Sequence, residues 1–92
     1  MNTQDFGKFI SELRKEKGLT QLQLAEKLNV TDKAVSRWET GKNFPDIEIF
    51  SDLAKILEVS VSELLEGKRI EKEELFIVSE EHIVKQIKKN KK

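Results

Sequence analysis

A short segment of this 92-residue chain, residues 32–40, concentrates side chains that could bind a charged partner. Its polar residues are Asp32, Lys33, Ser36, Arg37 and Thr40. Lysine and arginine offer only hydrogen-bond donors, aspartate offers only acceptors, and the hydroxyls of serine and threonine offer both. Arranged along a helix, such groups suit contact with a polar, charged and grooved surface.

The same segment has an apolar side, which predicts that it forms a helix packed on a core. Ala34, Val35 and Trp38 recur at spacings that place them on one side of a helix. A tryptophan among polar residues could instead stack on a nucleic-acid base. The spacing favours the core position for Trp38, because it shares the side of the helix that Val35 occupies.

The length of the chain allows one small domain with a tail, and its composition argues against several kinds of site. The chain has no cysteine, so it has neither a disulfide framework nor a thiol nucleophile. His82 is the only histidine, so no metal site is expected. Without a glycine-rich loop or a nucleophile–base set, we expect neither an enzyme nor a bound cofactor.

Hydropathy argues against a membrane protein. No apolar run approaches the roughly 20 residues that span a bilayer. The first residues, MNTQDFGKF, lack the apolar core of a signal peptide. The expected location is therefore the cytoplasm, with no membrane partner.

Charge is distributed unevenly, although the net charge is zero. Residues 1–43 contain eight basic and six acidic residues, residues 44–67 contain one and six, and residues 68–92 contain eight and five. The first part could therefore face a polyanion while the acidic middle part faces away from it. The zero net charge predicts weak non-specific binding.

Periodicity and capping signals predict five helices, at residues 5–17, 21–28, 32–40, 46–57 and 61–66. Thr20 with Gln23, and Ser60 with Glu63, form capping boxes that mark the starts of the second and fifth helices. The inward residues of the fourth helix are expected to be Ile47, Phe50, Leu53, Ala54 and Leu57. Short connections and the lack of a convincing strand predict an all-α domain over residues 1–67.

The tail, residues 68–92, has a different character. It contains an apolar run at residues 75–78, and Ser79 could cap a last helix. Such a run is too apolar to stay exposed, so we expect it to pair with a second tail or to dock on its own domain.

Several motifs arrive in an order that resembles a known family. They include the Thr-Gln opening at residue 20, Leu24-Ala25, Ser36-x-Trp38-Glu39-x-Gly41, Pro45 and Val59-Ser60. Over residues 6–66 the chain resembles the helix-turn-helix domains of phage repressors, Cro proteins and their bacterial relatives, the XRE family. Asn29 stands where the family often has glycine, but asparagine tolerates the same backbone. The resemblance implies a five-helix, lambda-repressor-like DNA-binding domain with a C-terminal extension.

The resemblance implies that the helix at residues 32–40 enters the major groove of double-stranded DNA. A groove about 12 Å wide admits one α-helix, whose N-terminal residues approach the bases. Arg37 is the first candidate for a base contact and Lys33 the second, followed by Ser36. Asp32 could accept a hydrogen bond from cytosine, or could repel phosphate and simply suit the start of the helix.

Phosphate contacts are expected from helix starts and loops. By resemblance, Gln21 is the backbone clamp, because its main-chain N–H and its amide can both reach a phosphate. Further candidates are Thr31, Thr40, Lys42 and Asn43. For Lys42 and Asn43 the alternative is a solvated loop.

The resemblance also implies an ion pair between Arg14 on the first helix and Glu39 at the end of the third. We expect this pair to be partly buried and to fix the angle between the two helices, so Glu39 is interpreted as structural. Arg14 could instead be a free surface charge or contact phosphate.

The sequence therefore predicts a sequence-specific DNA-binding transcriptional regulator, a repressor that binds as a homodimer. The tail or the fifth helix with its preceding turn would form the dimer. The alternative is a protein-interaction module of the antitoxin or anti-repressor type on the same fold. The chain could also be a fragment of a longer regulator.

Overall fold

The computed structural model describes residues 2–70, and within this range it contains five α-helices and no strand. They are α1 Thr3–Glu16, α2 Gln21–Leu28, α3 Asp32–Glu39, α4 Ile47–Leu57 and α5 Val61–Glu66. This confirms the predicted all-α architecture. The predicted features of the tail, namely the apolar run at 75–78, the helix after Ser79 and His82, lie outside the described residues.

Local capping determines where most of these helices begin. At α2 and α5 both capping boxes are formed, with the Thr20 and Ser60 hydroxyls accepting from the N–H groups of Gln23 and Glu63. The predicted start of α1 at residue 5 was wrong. Asn2 Oδ1 accepts from the N–H groups of Gln4 and Asp5, at 2.7 and 3.1 Å, so the helix begins at residue 3. Asparagine is a favoured N-cap residue because its side chain satisfies these free donors.

The core is built from the apolar stripes of all five helices. Its fully buried members are Phe6, Ile10, Leu13, Leu24, Val35, Leu53, Leu57 and Leu64. Helix α3 packs against α1 and α2. Trp38 is 4% exposed and belongs to this core, as its spacing predicts.

Ile47 departs from the predicted pattern of α4. Phe50, Leu53 and Leu57 are buried as expected, but Ile47 is 85% exposed. Its position three residues before Phe50 puts it on the correct side of the helix, but it is the first helical residue. The start of α4 lies at the edge of the core, so within residues 2–70 no element covers the Ile47 side chain.

An aromatic cluster anchors the loop between α3 and α4. The Phe44 ring lies 5.2 Å from that of Phe6 and 6.4 Å from that of Phe50, and the Phe6 and Phe50 rings are 5.3 Å apart. Pro45 is also buried. The loop that carries Lys42 and Asn43 is therefore held to the core at its far end.

Two helices end in residues that are not glycine but have a left-handed backbone, Asn29 (φ 61°) and Glu58 (φ 60°). Asparagine adopts this conformation with little strain, whereas glutamate does not. We expect Glu58→Gly to raise the melting temperature by roughly 2–5 °C, since relief of strain exceeds the loss of its exposed ion pair with Lys17. Asn29→Gly is the matched control and should change it less. An equal or larger rise for Asn29→Gly in thermal unfolding would contradict the assignment of strain to Glu58.

Glu63 joins the start of α5 to the chain that leaves it. Its Oε1 accepts from Ser60 N–H at 2.8 Å and its Oε2 accepts from Ile70 N–H at 2.9 Å. Burial acts to raise the pKa of this carboxyl, but the hydrogen bonds with Ser60 and Ile70 and the charge of Arg69 outweigh it. The pKa therefore lies below its usual value near 4.5.

A lowered folded-state pKa stabilises the fold above the unfolded pKa and loses this contribution as the pH falls through the folded value. Glu63→Gln keeps an acceptor for the capping box but removes the titrating charge. We expect this variant to lose less stability than the parent between pH 5 and pH 3 in urea unfolding. Glu66→Gln, at an exposed carboxyl of the same helix, is the control. If stability falls equally with pH in the parent and in Glu63→Gln, the charge of Glu63 does not contribute to the stability of the fold.

Candidate nucleic-acid interface

Helix α3 is held on its inner side and open on its outer side. Thr31 caps its start, where the Thr31 hydroxyl accepts from Ala34 N–H at 3.1 Å. Val35 and Trp38 are buried beneath it. The orientation of the outer residues relative to the rest of the domain is therefore determined by packing along the length of this short helix.

The predicted base-contacting residues lie together along α3. Asp32, Lys33 and Arg37 are exposed, and Ser36 is half-buried. Within residues 2–70, neither Lys33 nor Arg37 forms an ion pair. Both cationic groups are therefore available to an anionic or acceptor-rich partner.

Arg14 and Glu39 form a buried, bidentate ion pair between α1 and α3. Arg14 Nε donates to Glu39 Oε2 at 2.6 Å, and Arg14 Nη2 donates to Glu39 Oε1 at 3.0 Å. The two side chains are 10% and 5% exposed. The hydrogen bonds with Glu39 raise the pKa of Arg14 against the opposing effect of burial. The guanidinium also donates from Nη1 to Leu19 O at 2.7 Å, which ties the pair to the loop before α2.

Gln21, the predicted backbone clamp, is the first residue of α2 and is half-buried. Its Nε2 donates to Glu39 Oε1 at 3.0 Å, a contact that sequence reasoning missed. The Gln23 N–H bonds to the Thr20 hydroxyl and the Leu24 N–H bonds to Thr20 O. The Gln21 N–H lies before these bonds and has no intrahelical partner, so it can meet an anion.

The remaining predicted phosphate contacts flank α3 and differ in availability. Lys42 and Asn43 are exposed in the loop after the helix, and Lys42 forms no ion pair within residues 2–70. The Thr31 oxygen accepts a bond in the cap, which leaves its hydroxyl hydrogen free. The Thr40 hydroxyl donates to Ser36 O at 2.8 Å and lies 3.3 Å from Arg37 O, so its donor is already engaged.

Gly7 is a further residue that positions the interface, and sequence reasoning missed it. It is buried within α1, where a Cβ atom would lie 2.2 Å from Trp38 O and 2.8 Å from Glu39 O. Only the absence of a side chain lets the end of α3 approach α1 this closely. A glycine inside an otherwise regular helical pattern is the one signal in the sequence that indicates such an approach.

Two other features are absent from the part of the chain that the structure describes. Residues 2–70 contain no group of three or more His, Asp or Glu side chains arranged to hold a metal ion. None of the five α-helices within residues 2–70 has the length and apolar composition of a membrane-spanning segment.

Comparison with known proteins places the chain in a family. A family model described as helix-turn-helix matches residues 10–64. The chain is 41% identical over 66 residues to the HTH-type transcriptional activator BcrR of Enterococcus faecalis. It is 37% identical over 67 residues to the HTH-type transcriptional regulator YqaE of Bacillus subtilis. These alignments cover 72% and 73% of this chain but only 32% and 58% of the relatives, so the chain matches only part of each.

Solved structures agree with this match. The DNA-binding domain of the P22 c2 repressor superposes with a TM-score of 0.65 and 36% identity, covering 73% of this chain and 88% of that one. The restriction-modification controller protein C.AhdI of Aeromonas hydrophila superposes with a TM-score of 0.62 and 31% identity, covering 67% and 94%. The residues that the family model matches, 10–64, include α2, the turn and α3, where the exposed cations lie. This chain belongs to the XRE-type helix-turn-helix family.

Proposed function

We propose that this chain binds double-stranded DNA as a sequence-specific transcriptional regulator, a repressor that acts as a homodimer. The observation that carries the proposal is the outer surface of α3. Lys33 and Arg37 are exposed there without ion-pair partners in residues 2–70, on a helix whose other side is buried. A single helix with this surface fits the major groove, whose base edges present acceptors and donors.

In the proposed complex α3 lies in the major groove, where Asp32 and Lys33 in its first turn and the long side chain of Arg37 in its last turn face the bases. Arg37 binds guanine, because arginine donates two bonds to the guanine acceptors, and such a pair discriminates by about 1–3 kcal/mol. Lys33 is the second base contact and Ser36 the third. Asp32 either accepts from cytosine or keeps phosphate away from the start of the helix.

Phosphate contacts hold α3 in register on the duplex without reading sequence. We assign the main contact to Gln21, through its main-chain N–H and its amide. Thr31, Lys42 and Asn43 add contacts on either side of α3. Thr40 is the weakest of the five assignments, because its hydroxyl must break its hydrogen bond to Ser36 O before it can donate to phosphate.

One recognition helix covers only a few base pairs, so two copies on half-sites about one helical turn apart would supply the specificity. Two surfaces could join the copies. Val61 and Leu65 lie four residues apart on α5 and are 42% and 43% exposed, so they share one side of that helix. The other candidate is the tail. Replacing Val61 and Leu65 by serine and measuring mass by sedimentation equilibrium distinguishes them, because an unchanged dimer assigns the contact to the tail.

The repressor assignment rests on the similarity to the P22 c2 repressor domain, whereas BcrR is named an activator. A promoter fusion separates the two. A repressor lowers reporter transcription when a selected site overlaps the promoter, and an activator raises it from an upstream site.

Binding of selected DNA tests the proposal. Affinity for sites enriched from a random duplex pool should fall with rising salt. The logarithm of the association constant should decrease linearly with the logarithm of the salt concentration, with a slope near −0.9 for each neutralised phosphate. Arg37→Ala should relax the choice of base at one position by about 1–3 kcal/mol, whereas Gln21→Ala should weaken all sites alike. Lys55→Ala, an exposed cation on α4, is the control for loss of one positive charge. If no sequence is enriched, or if neither α3 nor α2 variants alter binding, the proposal is wrong.

One observation favours the alternative of a protein-interaction module. Ile47 is 85% exposed and stands between Asp46 and Glu48, an apolar side chain in an acidic setting that suits a protein partner. A partner held there would bind with little dependence on Lys33 or Arg37. Loss of DNA enrichment together with an Ile47-dependent protein complex would favour this alternative.

A further inference from the structure

Glu39 connects the two helices of the helix-turn-helix unit through side chains. It is the last residue of α3, and its Oε1 accepts from Gln21 Nε2 in the first turn of α2 at 3.0 Å. The same oxygen accepts from Arg14 Nη2 at 3.0 Å, and Oε2 accepts from Arg14 Nε at 2.6 Å. One carboxylate therefore receives all three bonds.

The bond to Glu39 restricts how Gln21 presents its amide. A glutamine amide has two N–H donors and one acceptor oxygen. When one N–H donates to Glu39, the second N–H and the oxygen have no hydrogen-bond partner among residues 2–70, and the long side chain is fixed at its far end. A donor held in place loses less conformational entropy on binding than a free one.

The ion pair also changes the charge that an approaching phosphate would meet. A carboxylate without a partner near the start of α2 would repel phosphate. Arg14 neutralises this carboxylate through two bonds, and the side chains of Arg14 and Glu39 are only 10% and 5% exposed. Leu19 O accepts from the third nitrogen of the guanidinium at 2.7 Å and so fixes its orientation.

We propose that Glu39, neutralised by Arg14, is a positioning residue that orients the Gln21 amide towards DNA phosphate. This inference rests on the proposed function and adds a binding role to an ion pair that otherwise only joins α1 to α3. Glu39 acts through Gln21, so its effect on DNA binding requires the Gln21 side chain.

A double-mutant cycle on DNA affinity tests this dependence. Glu39→Leu replaces the carboxylate with an apolar side chain of similar size, which cannot accept the bond from Gln21 Nε2. We expect Gln21→Ala and Glu39→Leu each to weaken binding of the selected duplex about tenfold, the effect of one hydrogen bond to a charged group. In the Gln21→Ala background, Glu39→Leu should change affinity less than twofold. Glu26→Gln, at an exposed carboxylate of α2, controls for the removed negative charge.

Stability is separated from positioning by measuring affinity per folded molecule, with the folded fraction taken from circular dichroism at the assay temperature. The side-chain NH₂ resonances of Gln21 in the free protein are a second readout and should move in Glu39→Leu but not in Glu26→Gln. Glu39→Asp, which keeps the charge but is one methylene shorter, replaces Glu39→Leu if that variant is unfolded.

Each outcome decides the inference. The inference is overturned if the losses of affinity in the two single variants multiply in the double variant, or if Gln21→Ala binds DNA like the parent. In either case the Arg37 variants still test the proposed function. If the parent enriches no duplex, the proposed function fails, and unmoved Gln21 resonances would then reject the positioning separately.

Discussion

Arg14→Met should lower the free energy of unfolding by about 3–5 kcal/mol. The physical reason is the carboxylate that remains. Glu39 is 5% exposed, and without Arg14 it keeps only the bond from Gln21. A buried charge has lost its hydration, and without its partner no attraction to an opposite charge compensates for that loss. Urea unfolding followed by circular dichroism measures the loss.

A second substitution shows whether the stranded charge is the cause. Combining Arg14→Met with Glu39→Leu removes both charges, and we expect the double variant to be more stable than Arg14→Met alone. Lys17→Met is the control, because it breaks the pair with Glu58 at the surface, where Glu58 is 75% exposed, and it should change stability little. Equal losses for Arg14→Met and Lys17→Met would mean that burial of the Arg14 pair is unimportant.

Gly7→Ala is expected to lower the free energy of unfolding by about 2–3 kcal/mol, even though alanine favours helix. The added methyl group would lie 2.2 Å from Trp38 O, and this atom belongs to the backbone, so it cannot rotate away. Helix α1 must then move from the end of α3. Since this movement also separates Arg14 from Glu39, affinity for the selected DNA should fall along with stability.

Gly18→Ala is the matched control for this substitution. Gly18 has φ +72°, and a Cβ there would have nothing within 4 Å. Its alanine variant therefore carries backbone strain without overpacking, at about 1–2 kcal/mol. Thermal and urea unfolding of both variants separate the two effects. A Gly7→Ala variant that is no less stable than Gly18→Ala would show that α1 and α3 can separate at little cost.

Local signals in the sequence were sufficient for most helix boundaries. Thr20 and Ser60 cap α2 and α5 through bonds to residues only three positions away, so the pattern is visible without knowledge of the fold. The same holds for Asn2, whose capping bonds span two and three residues, although the sequence prediction overlooked this signal. The spacing of Trp38 from Val35 placed it in the core for an equally local reason.

Periodicity failed where the extent of the core mattered. It places Ile47 on the same side of α4 as Phe50, but burial also requires a neighbouring element opposite that turn. Helical periodicity predicts on which side of a helix a side chain lies. It does not predict how far along the helix the neighbouring core extends. Ile47 is consequently exposed despite a correct helical pattern.

The sequence by itself determined the family, the all-α class, the polar outer surface of α3 and the residues proposed to meet DNA. The Arg14–Glu39 pair, whose partners are 25 residues apart, entered through family resemblance. Only the tertiary structure decided that Glu39 also holds Gln21, 18 residues away, and that Gly7 admits the end of α3. These contacts depend on the distance and angle at which separate helices cross, and those follow from the packing of the whole core.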